Sequence, residues 1–185
     1  SSTREVLRNA AKMFAAKARE LYRNEDLDGS IEDISAEIAR LFERSILLDP
    51  ANVEYRIDKA LADISAATTI EDQRNRLQEI ADQVRSIDAD HPGLHVLDGR
   101  CQLLEARLTM DKTEKRPLLE RAIKSLENVE ASRESYPSAY RIQRAYCLRN
   151  MADAKVRLAN TYDEKDEKTI ETLLMEAESA ATQAL

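Results

Sequence analysis

A chain of 185 residues, 43% hydrophobic and 34% charged, has material for one domain with a core and carries too much charge for a membrane protein. No run approaches the roughly 20 uncharged apolar residues that cross a bilayer, and the start, Ser1 to Glu5, lacks the apolar centre of a secretory signal. The net charge of -7 disfavours a bulk attraction to nucleic acid, and three Gly with four Pro leave little material for tight β-turns.

Apolar residues recur at spacings of three and four along nearly the whole chain, which predicts an all-α protein of about eight helices. The first helix runs from about Thr3 to Asn24, with Leu7, Ala10, Ala11, Phe14, Ala18 and Leu21 on one face. Its partner begins near Ser30, where Ser30 and Asp33 read as a capping box, and carries Ile34, Ile38, Leu41, Phe42 and Ser45 up to Asp49 and Pro50. A second pair uses Ile57, Ala60, Leu61 and Ile64, breaks at Ala67 to Thr69, and resumes with Leu77, Ile80, Ala81, Val84 and Ile87 before His91, Pro92 and Gly93. The third takes Leu94, Leu97, Cys101, Leu104 and Leu108, breaks at Asp111 to Thr113, and continues with Leu118, Leu119, Ala122, Ile123, Leu126 and Val129, placing Pro117 in the first turn. The fourth opens at Tyr136, Pro137 and Ser138, takes Ile142, Ala145, Tyr146, Ala152, Val156 and Ala159, and breaks through Asp163 to Asp166. It ends with Ile170, Leu173, Leu174, Ala177, Ala180 and Ala181.

Pro50, Pro92 and Pro137 punctuate these pairs, so the period is slightly above forty residues, about what two helices and two short connections require. The segment from Leu41 to Pro50 resembles the second-helix ending of the tetratricopeptide repeat (TPR) family, with a large aromatic at Phe42, a small residue at Ser45 and the proline at Pro50. Weaker echoes occur at Val84 to Pro92 and at Ala122 to Pro137. The period exceeds the family's usual 34 residues, Trp is absent, and Ala stands for most of the expected first-helix Gly. The resemblance implies a single divergent TPR-like domain over 1–185. Its fold is an α-solenoid of four antiparallel hairpins, a right-handed superhelix whose first helices line a concave peptide-binding groove. A subset of the family grips a C-terminal carboxylate with Lys and Asn on its first helices; only Arg8, Asn9 and Asn52 stand near suitable places, and that activity is not carried over. A start without Met and a helical pattern running to Leu185 read as a piece of a larger protein.

Local chemistry is sparse. Asn24, Asp26 and Asp28 alternate before Gly29, with Glu32 beyond, as side-chain oxygens do in an EF-hand loop. The last position is Ser35 where a bidentate Glu belongs, and a hairpin turn with Gly29 at the bend and Ser30 as cap is the favoured reading, so no metal is assigned. His91 and His95 are four apart with Asp98 a turn further, but Pro92 separates His91 from the helix, and both read as turn and surface histidines. Cys101 and Cys147 fall inside apolar stripes and read as buried thiols, which fits a reducing, cytoplasmic compartment. No phosphate loop, nucleophile set or zinc cluster stands out, so no enzyme activity or cofactor is expected.

Charge divides unevenly. The spans Thr3–Asn24 and Ser138–Asn160 each carry +4, and the four first helices together carry +7, in a chain that is acidic overall. The expected function is therefore a non-catalytic protein–protein interaction scaffold that holds a peptide or protein segment, preferably acidic, along its first helices. Nucleic acid, membrane and small molecules are not the expected partners. Arg8, Lys12, Arg100, Arg141 and Arg149 would receive carboxylates, with Tyr146 as a flat apolar contact. Two alternatives are a helical regulatory or accessory domain of a larger enzyme such as a kinase, and a calcium-responsive helical domain. The competing account of the charge is that basic first helices neutralise acidic second helices within each hairpin.

Overall fold

Eight α-helices make up most of the described residues of the computed structural model, which are 2–23, 31–64, 69–131 and 137–184. They are α1 (Thr3–Arg23), α2 (Ile31–Leu48), α3 (Glu54–Asp63), α4 (Ile70–Ile87), α5 (Gly93–Leu108), α6 (Lys112–Ala131), α7 (Pro137–Ala159) and α8 (Glu167–Gln183), with a 3-10 turn (Glu164–Asp166) leading into α8. No strand occurs among the described residues, and no helix there is long and apolar enough to cross a membrane. Consecutive helices pack on one another throughout, and α5 also touches α3 and α7.

Small side chains set the closest approaches. Ala11, Ala15 and Ala18 form the fully buried stripe of α1, and opposite them Ser45 of α2 donates its hydroxyl both to the Ala11 carbonyl and to the Leu41 carbonyl, each at 3.0 Å. A longer residue at position 45 would hold the two helices apart and leave that carbonyl without its bond. Phe42 and Tyr55 close this first cluster. Gly99 serves the third hairpin in the same way: a Cβ there would lie 2.8 Å from Leu126, so α5 and α6 meet only because it has none. Helix α5 buries Leu94, Val96, Leu97, Leu103 and Leu104 on several faces, as a helix with neighbours on more than one side must.

The turns carry their own bonds. Thr69 caps α4 by accepting from the Asp72 N–H at 3.0 Å, and Asp111 caps α6 by accepting from the Thr113 and Glu114 N–H groups at 2.7 and 3.2 Å. Because Asp111 starts α6 at Lys112, Pro117 lies in its second turn and not in the first as expected; it removes one helical hydrogen bond on an exposed face. Pro137 is the first residue of α7, where the missing N–H is harmless. Arg116 of α6 reaches the turn after α7, donating from Nη2 to the Thr161 carbonyl at 2.9 Å, while its guanidinium lies 4.1 Å from the centre of the Tyr162 ring.

Some expected core positions are not core. Leu7, Ile87, Leu108, Val156 and Leu174 are exposed. Ile87 and Leu108 are the last residues of their helices, and α1 and α8 stand at the two ends of the row with fewer packing neighbours. The expected breaks near 25–30 and 133–138 fall on, or largely on, residues outside the described set. The breaks near 49–52, 89–92, 111–113 and 162–166 coincide with connections between helices to within a few residues.

Phe42 is 2% exposed and Leu104 fully buried, so Phe42→Ala and Leu104→Ala should each cost about 2–5 kcal/mol in denaturant unfolding, whereas Leu47→Ala, on the surface, should stay within about 0.5 kcal/mol. A second test concerns His91, which is buried in the α4–α5 turn and accepts the Gly93 N–H on Nδ1 at 3.0 Å. Burial pushes its pKa below the ordinary value of 6.5, outweighing the opposing pull of Asp88 and Glu54. The unfolded chain therefore binds the proton more readily than the native one, and stability should fall as pH drops below about 6.5. Thermal unfolding of His91→Gln should lack that part of the slope; an unchanged profile would remove His91 as its source.

Candidate functional site

One residue or more from each of α1, α3, α5 and α7 converges on a single polar cluster. From α1, Arg19 donates to Asp58 Oδ2 of α3 through Nε at 2.8 Å, with Glu54 3.8 Å away. Arg100 of α5 donates from Nη1 to Asn150 Oδ1 of α7 at 2.7 Å, and the Asn150 amide in turn donates to the Tyr146 carbonyl at 2.7 Å. Tyr146 lines a narrow cavity with Arg19, Tyr22, Phe42, Asp58 and Leu61. The space open to the centre of a water-sized sphere there is about 10 Å³, close to what one water molecule occupies and far too little for an organic ligand.

The electrostatics follow from burial. The Tyr146 hydroxyl is pushed up to about 12, chiefly by desolvation, with Arg100 pulling the other way, so it keeps its proton throughout the physiological range. Tyr55 is also raised, by burial and then by Asp49. Asp58 is buried, and its pairing with Arg19 is what allows a carboxylate inside this helix row.

Among the described residues, four buried side-chain polar atoms have no hydrogen-bond partner: Tyr55 Oη, Arg56 Nε, Arg100 Nε and Tyr146 Oη. All four lie on α3, α5 and α7, and each has a hydrogen to give. Asn52 and Asn150 lie beside the Tyr55 and Tyr146 hydroxyls and lower their pKa against the larger effect of burial.

Of the residues chosen from sequence, Arg100 and Tyr146 belong to this cluster. Arg8 stands apart, exposed near the start of α1 with Asp49 3.9 Å away; Lys12 and Arg149 are exposed, and the Arg141 side chain lies outside the described residues. Asn24, Asp26, Asp28 and the side chain of Glu32, the weak calcium candidates, also lie outside the described residues. Among the described residues no three His, Cys, Asp or Glu side chains come together as metal ligands would. His91, expected at the surface, is buried because Gly93 lets Ile57 and the imidazole pack into the turn.

Arg19, Asp58 and Asn150 were not anticipated. The signal available was Asp58 itself, an acid beside Ile57 in the buried stripe of α3, which demands a cation. Part of the basic charge is also used inside the fold. Lys155 of α7 is buried and pairs with Glu176 of α8 at 2.7 Å and lies 3.8 Å from Glu127 of α6, as the neutralising account of the fourth hairpin requires.

Cys101 borders a wider groove between α4, α5 and α6, with about 290 Å³ open to water-sized spheres and walls that include Arg74, Gln102, Glu105 and Leu118. Its thiol is pushed up to about 12 by burial and then by Asp98, which suits a packed sulfur and not a nucleophile. Both cysteines are free and buried. Comparison with protein-family models, curated proteins and solved structures finds no match to this chain.

Removing Asp58 should expose the dependence of the cluster on the close ion pair between α1 and α3. Asp58→Ala leaves Arg19 largely buried with only Glu54 nearby and should cost about 2–4 kcal/mol, whereas Arg19→Met with Asp58→Leu should recover at least half of that loss in the same denaturation experiment. A single-variant cost near zero would mean that the pair is solvated.

Proposed function

We propose that this chain is a non-catalytic protein-interaction module, a TPR-like α-solenoid of four helical hairpins that holds an acidic peptide or protein segment along the face built by α1, α3, α5 and α7. The observation that supports this reading is the basic charge of α1 and α7, on which Lys12 and Arg149 are exposed without an ion-pair partner among the described residues. An acidic segment brings carboxylates, which exposed Lys and Arg side chains hold with charge-assisted hydrogen bonds. Arg19 and Asp58 fix the positions of α1 and α3, and the Arg100 to Asn150 bond does the same for α5 and α7, so the face is organised before a partner arrives.

Exposed cations extend the site outward. Lys12 and Arg149 are exposed and have no ion-pair partner among the described residues, so they are available to steer a negatively charged segment. Lys155 and Arg157 are not, since Glu176 and Asp153 already hold them.

An acidic-peptide library should yield binders whose affinity falls with added salt, and Arg100→Ala or Arg149→Glu should weaken them at least about tenfold with helicity unchanged. Binders that are apolar and indifferent to salt, or that protect α2, α4, α6 and α8 from exchange in place of the first helices, would overturn the proposal.

A further inference from the structure

The groove between α4, α5 and α6 carries a chemistry different from that of the basic helices. Helix α5 packs closely on both α4 and α6 and supplies Cys101, Gln102 and Glu105 to the groove, while α4 supplies Arg74, Asn75 and Gln78, and α6 supplies Leu118. The open space of about 290 Å³ stands near the lower bound of about 300 Å³ for ligand pockets, enough for a short length of extended chain.

Charge inside the groove is balanced. Arg74 donates from Nη1 to Glu105 Oε2, so guanidinium and carboxylate answer one another, and an ionic ligand finds no spare counter-charge. What remains are three carboxamides, each held by the protein at one end only. Asn75 Oδ1 accepts from Arg74 Nε and Nη2 at 3.3 and 3.0 Å, which leaves its amide N–H groups without a partner among the described residues. Gln102 Oε1 accepts the Ser125 hydroxyl at 3.5 Å, and its N–H groups are left in the same condition. Gln78 is held the other way round: its amide donates to Asp82 Oδ1 at 3.1 Å, and its carbonyl oxygen is open. Glu105 keeps Oε1 as a second acceptor.

Donors and acceptors side by side, without net charge, match the peptide unit, which offers one N–H and one C=O and carries no charge. The tied ends also reduce the side-chain freedom that binding has to remove. We propose that this groove binds an uncharged, extended peptide segment by its main chain. Asn75 and Gln102 donate to its carbonyls, Gln78 and Glu105 accept from its N–H groups, and one apolar side chain rests against Leu118 and the Cys101 sulfur. Hydrogen bonding selects this ligand, whereas charge selects the one proposed for the basic helices.

Titration of the isotope-labelled 185-residue chain with the capped tripeptide N-acetyl-Ala-Leu-Ala-methylamide tests this, because the side-chain amides of Asn75 and Gln102 give their own NMR signals. Both signals should move in a saturable way with a midpoint of about 1–10 mM, the same in about 0.05 and about 0.5 M salt. Asn75→Leu and Gln102→Met keep the side-chain length and remove the donors. Neither residue is buried, so circular dichroism should show unchanged helix content, while each variant raises the midpoint at least about fivefold, read on the α4 and α5 backbone signals. Signals that stay still up to about 50 mM peptide, or an unchanged midpoint in both variants, overturn the proposal. So does an equal response to sucrose, which would make the groove a polyol site, or a response to hexaglutamate that salt abolishes, which would make it part of a charged surface.

Discussion

Close approach of helix backbones at small side chains is the constraint on which the rest of this structure rests. Ala11, Ala15 and Ala18 bring α1 down onto α2 far enough for the Ser45 hydroxyl to reach a carbonyl of the facing helix, and Gly99 lets α5 seat against Leu126. With helices this near, medium-sized side chains such as Leu77, Leu97, Leu104, Leu119 and Leu126 fill much of the interior, and the large aromatics Phe42 and Tyr55 are buried in the first cluster. The same closeness brings residues from four separate helices into one polar cluster. Arg19 spans 39 residues to Asp58, and Arg100 spans 50 to Asn150.

The separation explains what could be read in the sequence and what could not. Helix type and most connections follow from local periodicity, so the stripe of Ile57, Ala60, Leu61 and Ile64 identifies α3 without any knowledge of its neighbours. A partner 39 or 50 residues away leaves no periodic trace. Arg100 and Tyr146 were found because they sit on first helices and carry the right chemistry, while Arg19 and Asn150 were not, because neither is unusual until its neighbour is known. Leu7, Leu174 and Val156 show the opposite error. Their spacing continues an apolar stripe, but spacing cannot say where the row of helices ends and cover runs out.

Charge is likewise divided between two duties. Lys155 lies 3.8 Å from Glu127 of α6 and 2.7 Å from Glu176 of α8, so part of the positive charge of α7 ties it to both neighbours, while Arg157 is held within α7 by Asp153. Lys12 and Arg149 remain outward. A count over whole helices merges these two populations, whereas burial separates them: a cation one tenth exposed between two carboxylates is a structural element, and one in open solvent is available for recognition.

Arg116 bears on how such a row of helices can bend. By holding the Thr161 carbonyl and lying against the Tyr162 ring, it fastens α6 to the turn beyond α7 with a hydrogen bond and a ring contact at once. At the other end α3 is joined to α1 by Arg19 with Asp58 and Glu54, and to α2 by Lys59 with Glu43 and by the core cluster that Tyr55 shares with Phe42. Widening the narrow cavity beside Tyr146 would therefore mean parting the Arg19 guanidinium from two carboxylates, so the cavity's width and the seating of α1 on α3 are set by the same contact.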